Sequence, residues 1–176
     1  MKNRLRSIGA ALLFGGLSLG FVGQAQAEPS VVKVQRDHYT GTWLEIGRTP
    51  MWITDGCVAG YTTYKPGISP NRVMVEDGCH VDTPNGRLKT VSGIGTLADA
   101  DTTRAKLKVR YGFLVTFDYW VLYKSPDRSW FISADPEMKN LWIYAREVPS
   151  KKQLAKMVQK ARDLGYDTNR LEFPAP

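Results

Sequence analysis

The chain has 176 residues, with 24 Lys or Arg against 17 Asp or Glu, so its formal net charge at pH 7 is +7. The basic residues are spread along the chain, which excludes the concentrated basic patch of a nucleic-acid-binding protein. The length suits one domain with one core, and two domains would be cramped.

The first 27 residues have the pattern of a cleaved secretory signal. Three basic residues precede an apolar run from Ile8 to Val22, and small residues two apart, Ala25 and Ala27, end the segment. The run is short for a membrane span, and no cysteine stands near the cleavage point to carry a lipid. We therefore expect residues 1–27 to be removed and residues 28–176 to form a single periplasmic or secreted domain with a formal charge of +4; a retained membrane anchor is the alternative.

Strand signals begin at residues 39–48. Gly41, one residue and Trp43 are followed by strict alternation, which predicts a strand that places a large flat side chain on its buried face. Residues 49–56 stay apolar without alternating, so they predict a long, partly buried loop.

Two further segments, residues 57–64 and 71–81, predict a hairpin around a turn rich in proline and glycine. A hairpin centred near Ile68 brings Cys57 and Cys79 opposite each other, and cysteines of an exported domain usually pair. The disulfide would close a loop of roughly 20 residues and stabilise the fold by about 3 kcal/mol.

Metal and redox chemistry are not indicated. The chain has no C-x-x-C motif, and its two histidines, His38 and His80, lack the spaced partners of a zinc set. We therefore expect neither a metal nor a cofactor.

The rest of the chain continues the strand pattern. Residues 104–111 alternate apolar and basic side chains, which is typical of a half-buried antiparallel strand. Residues 112–118 read as an apolar connection. The remaining predicted strands are residues 87–97, 119–124, 129–134 and 141–146, separated by turn sequences.

The chain then predicts one helix. Ser150 is a suitable N-cap, an apolar stripe runs from Leu154 through Met157 to Leu164, and Gly165 ends the helix. Eight meandering antiparallel strands favour an all-β fold: an eight-stranded up-and-down β-barrel with the C-terminal helix packed on its outside. A two-sheet sandwich is the alternative.

Over residues 39–173 the chain resembles the lipocalin family, most closely the bacterial lipocalins and their apolipoprotein D-like relatives. Gly41, Trp43 and Glu45 match the family's G-x-W-Y-E-I motif, with Leu44 in the tyrosine position. The last predicted strand, Leu-Trp-Ile-Tyr-Ala-Arg, and the helix that follows it match as well. The family's T-D-Y motif is represented only loosely by residues 124–127, so binding of a docking receptor is not carried over.

The resemblance implies two structural residues at the narrow end of the barrel. Arg146 should lie across the ring of Trp43 and close that end, and such a contact contributes roughly 0.5 to 2 kcal/mol.

It also implies a set of residues around a ligand, although they could instead simply fill the core. They are Trp52, Tyr64, Val73, Val75, Asp77, Leu107, Val109, Tyr111, Phe113, Tyr119, Trp142 and Tyr144, with Trp52 and Phe113 in loops near the mouth. With Tyr64 and Val73 both facing inward, the cysteines fall on opposite faces of an ideal ladder, so a β-bulge near Asp77 and Gly78 is needed.

These observations predict a carrier or scavenger of a small hydrophobic ligand such as a lipid, fatty acid, sterol-like molecule or pigment. The alternatives are an enzyme, such as an isomerase or a lipid- or pigment-modifying protein using Glu45, Asp77 and a tyrosine as acid and base, and an envelope-maintenance interaction module using residues 113–117. We expect a monomer or weak homodimer. Transient membrane contact by the basic helix is less favoured than a solvated helix face.

Overall fold

The computed structural model describes residues 28–176, so the predicted signal segment lies outside the described residues. Eight antiparallel strands form one closed barrel in which each strand pairs with its neighbours in sequence and β1 pairs with β8. The strands are β1 (Gly41–Arg48), β2 (Cys57–Pro66), β3 (Arg72–Val81), β4 (Leu88–Leu97), β5 (Lys106–Tyr111), β6 (Val115–Lys124), β7 (Trp130–Ala134) and β8 (Leu141–Ala145). The predicted up-and-down barrel is confirmed.

Alternation along the strands divides the apolar residues between two cores. Inward-facing side chains such as Leu107 and Val109 fill the barrel interior. Outward-facing side chains of β6, β7 and β8 form a second core with the helix α1 (Lys151–Asp163), where Met157 and Ala161 are buried against the barrel. The strands β7 and β8 are buried on both faces because the helix covers their outer side.

The helix begins as predicted. The side chain of Ser150 accepts a hydrogen bond from the backbone amide of Gln153, and Gly165 follows the helix with φ of +87°. Among the described residues, no helix is long and apolar enough to cross a membrane.

One end of the barrel is closed around Trp43. The Arg146 guanidinium lies 3.5 Å from the centre of the indole ring and donates hydrogen bonds to the backbone oxygens of Thr42 and Thr40. Gly41 has φ of +68°, and a Cβ there would lie 3.4 Å from Arg146 Nη1, so the motif glycine leaves room for the guanidinium. Arg146 therefore lies across the ring of Trp43 as the resemblance implies, and the structural role of the two residues stays a prediction.

Two details of the sequence interpretation are wrong. Strand β6 begins at Val115 rather than Tyr119, because the β5–β6 connection is a tight turn through Gly112, whose φ is +58°. The bulge of the β2–β3 hairpin lies on β2, between Val58 and Tyr61, and not at residues 77–78.

Candidate functional site

A cavity of ≈ 440 Å³ occupies the end of the barrel opposite Trp43. It is bordered by the β1–β2 loop, by the ends of β3 and β4, and by the β5–β6 turn, which together form its mouth. Its volume lies within the range of about 300 to 1,000 Å³ that is typical of small-molecule pockets.

Aromatic side chains form the inner wall of this cavity. Trp142 and Tyr144 project from β8, and Phe117 and Tyr119 project from β6. The rings of Tyr119 and Trp142 lie 4.7 Å apart, so they support each other and present a continuous apolar surface.

A polar cluster lies on the opposite side, centred on Asp77 of β3. Thr62 Oγ1 donates a hydrogen bond of 2.6 Å to Asp77 Oδ1, and the hydroxyl of Tyr111 donates to Oδ2. The hydroxyls of Tyr111 and Tyr119 are 3.3 Å apart, which extends the hydrogen-bond chain across the cavity. Burial raises the pKa of Asp77 against the opposing effect of the two hydroxyl donors, and burial also raises the pKa of both tyrosines.

A second polar group ties the mouth of the cavity together through Arg48. Its guanidinium pairs with Glu45 at 2.5 Å and with Glu172 of the C-terminal tail at 2.6 Å. The same side chain donates to the backbone oxygens of Thr54 and Cys57. Burial raises the pKa of Glu45, and the neighbouring Arg48 opposes that shift. Arg48 therefore joins β1, the β1–β2 loop, β2 and the tail.

The charges around the cavity favour a neutral ligand. Two carboxyl groups, Asp77 and Glu45, border the cavity, and Arg48 is already engaged by two carboxylates and two carbonyls. Lys89 stands at the rim and donates to the backbone oxygen of Ile53. A ligand carboxylate near Asp77 would meet a like charge, whereas a hydroxyl could join the hydrogen-bond chain.

The structure separates the predicted ligand set into three groups. The residues that line the cavity are Asp77, Tyr111, Tyr119, Trp142 and Tyr144. The residues buried in the barrel core without lining the cavity are Tyr64, Val73, Val75, Leu107 and Val109. The other two, Trp52 and Phe113, are 85% and 97% exposed and do not line the cavity. Both stand in loops at the mouth as expected, but their side chains point to solvent.

Several lining residues were missed at the sequence level. Thr62 lies two residues before Tyr64 and shares its face, so strand alternation contained the signal. Val115 and Phe117 alternate with Tyr119 but were assigned to a connection. Arg48 was also missed: three of its partners, Glu45, Thr54 and Cys57, are close in sequence, whereas Glu172 is 124 residues away.

The disulfide between Cys57 and Cys79 is confirmed, with a Cα–Cα distance of 5.4 Å. It joins the start of β2 to β3 at the mouth, and both cysteines line the cavity. Within residues 28–176, no group of three or more His, Cys, Asp or Glu side chains is arranged to hold a metal ion.

The model of the lipocalin-like domain matches residues 34–176. Temperature-induced lipocalin-1 of Arabidopsis thaliana is 32% identical over 157 residues, which cover 82% of this chain and 81% of that protein. A lipocalin of Acanthamoeba polyphaga mimivirus is 30% identical over 151 residues, covering 81% of this chain and 83% of its own.

Solved structures share the same architecture. Insecticyanin of the tobacco hornworm Manduca sexta superposes with a TM-score of 0.62 at 19% identity, covering 86% of this chain and 85% of that one. Lobster apocrustacyanin A1 superposes with a TM-score of 0.57 at 13% identity, and the match covers 88% of this chain and 92% of that one. At such identities these likenesses show the fold alone.

Proposed function

This chain belongs to the lipocalin family, and from that membership we propose that it carries or scavenges one small, neutral, hydrophobic molecule, without covalent chemistry. The observation that supports this most directly is the ≈ 440 Å³ cavity with an aromatic wall and one polar cluster. Removal of apolar ligand surface from water drives binding, and the preformed walls reduce its entropic cost.

The polar cluster narrows the ligand class to molecules with a hydroxyl or another uncharged polar head, such as a sterol-like compound or a long-chain alcohol. Asp77 and Tyr111 offer an acceptor and a hydroxyl inside the apolar cavity, where one hydrogen bond fixes the orientation of the ligand. A fatty acid is disfavoured because its carboxylate would lie near Asp77, and residues 28–176 place no free cation deep in the cavity.

Displacement of a neutral fluorescent probe, N-phenyl-1-naphthylamine, tests this preference. Dodecanol should displace the probe at lower concentration than dodecanoate at pH 8. Asp77→Asn should reduce the difference, because it removes the negative charge while keeping a polar side chain. The matched control is Glu76→Gln, since Glu76 precedes Asp77 on β3 and points to solvent. Equal displacement by the two ligands would contradict the proposed selectivity, and absence of probe binding would contradict the proposed carrier function.

The ligand would be exchanged at a membrane surface. Trp52, Phe113 and Leu114 expose their side chains at the mouth of the cavity, where they can contact lipid while the ligand leaves. Phe113→Ser combined with Leu114→Ser should reduce co-sedimentation with phosphatidylcholine vesicles. Ile68→Ser is the matched control, because Ile68 is equally exposed in the β2–β3 turn at the closed end.

The exposed side chains of Phe113 and Leu114 also provide a test of self-association. We expect a monomer or weak homodimer, so the solution mass of the wild-type protein should rise little with concentration. A strong concentration-dependent mass that Phe113→Ser abolishes would instead favour an interaction module.

We also propose a periplasmic or secreted location and, at a finer level than family membership, a relation to bacterial lipocalins. The Cys57–Cys79 disulfide supports export, because disulfides persist in oxidising compartments. Fractionation with blocking of free thiols checks this: the exported protein should resist alkylation until it is reduced, and a reduced cytoplasmic protein would contradict the proposal.

A second candidate is an isomerase in the same cavity. The hydrogen-bond chain from Asp77 through Tyr111 to Tyr119, together with the raised pKa of Asp77, favours it. The Asp77 carboxyl group and the tyrosine hydroxyls can serve as the acid and base of a proton transfer. Saturable conversion of an unsaturated hydrophobic ketone or alcohol that Asp77→Asn abolishes, while probe binding persists, would support the enzyme over the carrier.

A further inference from the structure

A second, smaller pocket of ≈ 220 Å³ lies at the closed end of the barrel, and it shares no lining residue with the ligand cavity. Three arginines from distant parts of the chain border it. Arg36 belongs to the short 3₁₀ turn before β1, Arg72 is the first residue of β3, and Arg104 precedes β5. The fold therefore gathers three positive charges that the sequence keeps more than 30 residues apart.

These charges are not neutralised by the protein. The pocket has no acidic residue among its lining side chains in the described part of the chain. None of the three arginines forms an ion pair within residues 28–176. Three positive charges around one pocket together attract an anion that enters it.

Two acidic side chains close in sequence to these arginines, Asp37 and Asp99, have other partners. Asp37, beside Arg36, pairs with Arg128 at 2.7 Å. Asp99 accepts hydrogen bonds from Thr103 and from the backbone amides of Ala105 and Lys106, and these donors lower its pKa despite partial burial. Its carboxylate is bonded to these donors and forms no ion pair with Arg104 within residues 28–176.

Arg104 also has an unused hydrogen-bond donor. Its Nη1 atom is buried and has no hydrogen-bond partner among the described residues. The backbone around it is held in place, because the hydroxyl of Tyr39 donates to the Arg104 oxygen at 2.8 Å. Buried donors are almost always satisfied, so this spare donor, on a side chain that lines the pocket, is available to an anion.

We propose that this pocket binds a phosphate group, either as free phosphate or as the terminal phosphate of a phosphomonoester. Arg104 and Arg36 hold its oxygens by charge-assisted hydrogen bonds. Arg72 contributes charge while donating to Thr96 at 2.7 Å. Guanidinium groups match the geometry of phosphate oxygens, and the pocket is too small for a bulky apolar ligand. Arg36 and Arg72 are exposed, which leaves a route for the anion from solvent.

Calorimetric titration with inorganic phosphate, at low ionic strength in a buffer without phosphate, tests this site. Saturable binding is expected, and Arg104→Gln should weaken it by roughly 10- to 100-fold, the effect of losing a hydrogen bond to a charged group. Arg104→Lys keeps the positive charge but loses the planar guanidinium group, and it should weaken binding less. Arg36→Gln, at an exposed position, repeats the test without disturbing the core.

The matched control is Arg110→Gln, because Arg110 is exposed on β5 away from the pocket. No saturable phosphate binding, or equal weakening by Arg110→Gln and Arg104→Gln, would overturn the proposal. Because the two cavities share no residue, phosphate should leave the affinity for N-phenyl-1-naphthylamine unchanged, so this test stands apart from that of the ligand cavity.

The two sources of the phosphate group are distinguished with vesicles. If phosphatidic acid in phosphatidylcholine vesicles binds the protein in a way that requires Arg104 and is competed by inorganic phosphate, the source is a lipid headgroup. If only free phosphate binds, the source is a soluble anion. Both outcomes support the phosphate site.

Discussion

Truncation of Trp43 tests whether the closed end of the barrel is structural rather than ligand-binding. The indole is 2% exposed, packs edge-on against Phe131 at 4.8 Å, and donates from Nε1 to the backbone oxygen of His38. The Arg146 guanidinium covers its other side. Trp43→Ala removes all of these contacts while leaving the ligand cavity intact.

The expected loss follows from the kind of contact removed. Truncation of a buried tryptophan to alanine costs about 3 to 5 kcal/mol. For a domain of this size, this corresponds to a decrease in melting temperature of roughly 6 to 20 °C. The contact between Trp43 and Arg146 should account for about 0.5 to 2 kcal/mol of that loss.

A double-mutant cycle with Trp43→Ala and Arg146→Ala isolates the pair by urea unfolding. The cycle is needed because Arg146 also donates to Thr42 and Thr40, so its single truncation removes more than the contact with the ring. Probe affinity should change less than about twofold in folded Trp43→Ala, and substantially in Trp142→Ala, which removes part of the cavity wall. A Trp43→Ala protein that keeps wild-type stability but changes ligand preference would refute this reasoning.

Three further predictions concern the chain length of the ligand, the stability of the protein at low pH, and the disulfide. Each methylene added to a series of alcohols should tighten binding about fourfold until the cavity is full, measured by probe displacement. Burial lowers the pKa of His38 from 6.5 to about 3, so the unfolded chain takes up a proton at higher pH than the folded protein does. The free energy of unfolding should therefore fall by about 1.4 kcal/mol per pH unit below 6.5. His38→Phe should flatten this dependence, measured by urea unfolding between pH 7 and 5.5. Replacing Cys57 and Cys79 together by serine should cost roughly 3 kcal/mol and make stability insensitive to a reducing agent; an unchanged stability would contradict the assigned role of the bond.

Strand alternation predicts which side chains point into a barrel but not how deep they lie along its axis. Leu107, Val109 and Tyr111 alternate on β5 and all face inward, yet only Tyr111 reaches the cavity. The other two are packed in the barrel core with residues of other strands, such as Val73 and Phe131. Depth therefore depends on interdigitation across the barrel, which no single strand encodes.

The position of the bulge shows how a glycine can be misinterpreted. Gly78 suggested a bulge on β3, but it pairs with Tyr61, and a Cβ at Gly78 would lie 2.3 Å from the Tyr61 ring. That glycine makes room for an aromatic side chain on the neighbouring strand. The bulge forms instead around Gly60, where a Cβ would lie 2.9 Å from Glu45 Oε1.

The bulge on β2 consequently performs two tasks at the mouth of the cavity. It changes the register between Val58 and Tyr61, so that Cys57 can reach Cys79 although Tyr64 still faces inward. It also brings a residue without a side chain beside Glu45, which leaves the carboxylate free to pair with Arg48. Gly60→Ala should therefore disturb the Glu45–Arg48 pair and the probe affinity together, and a variant that binds the probe normally would show that the mouth tolerates a displaced Glu45.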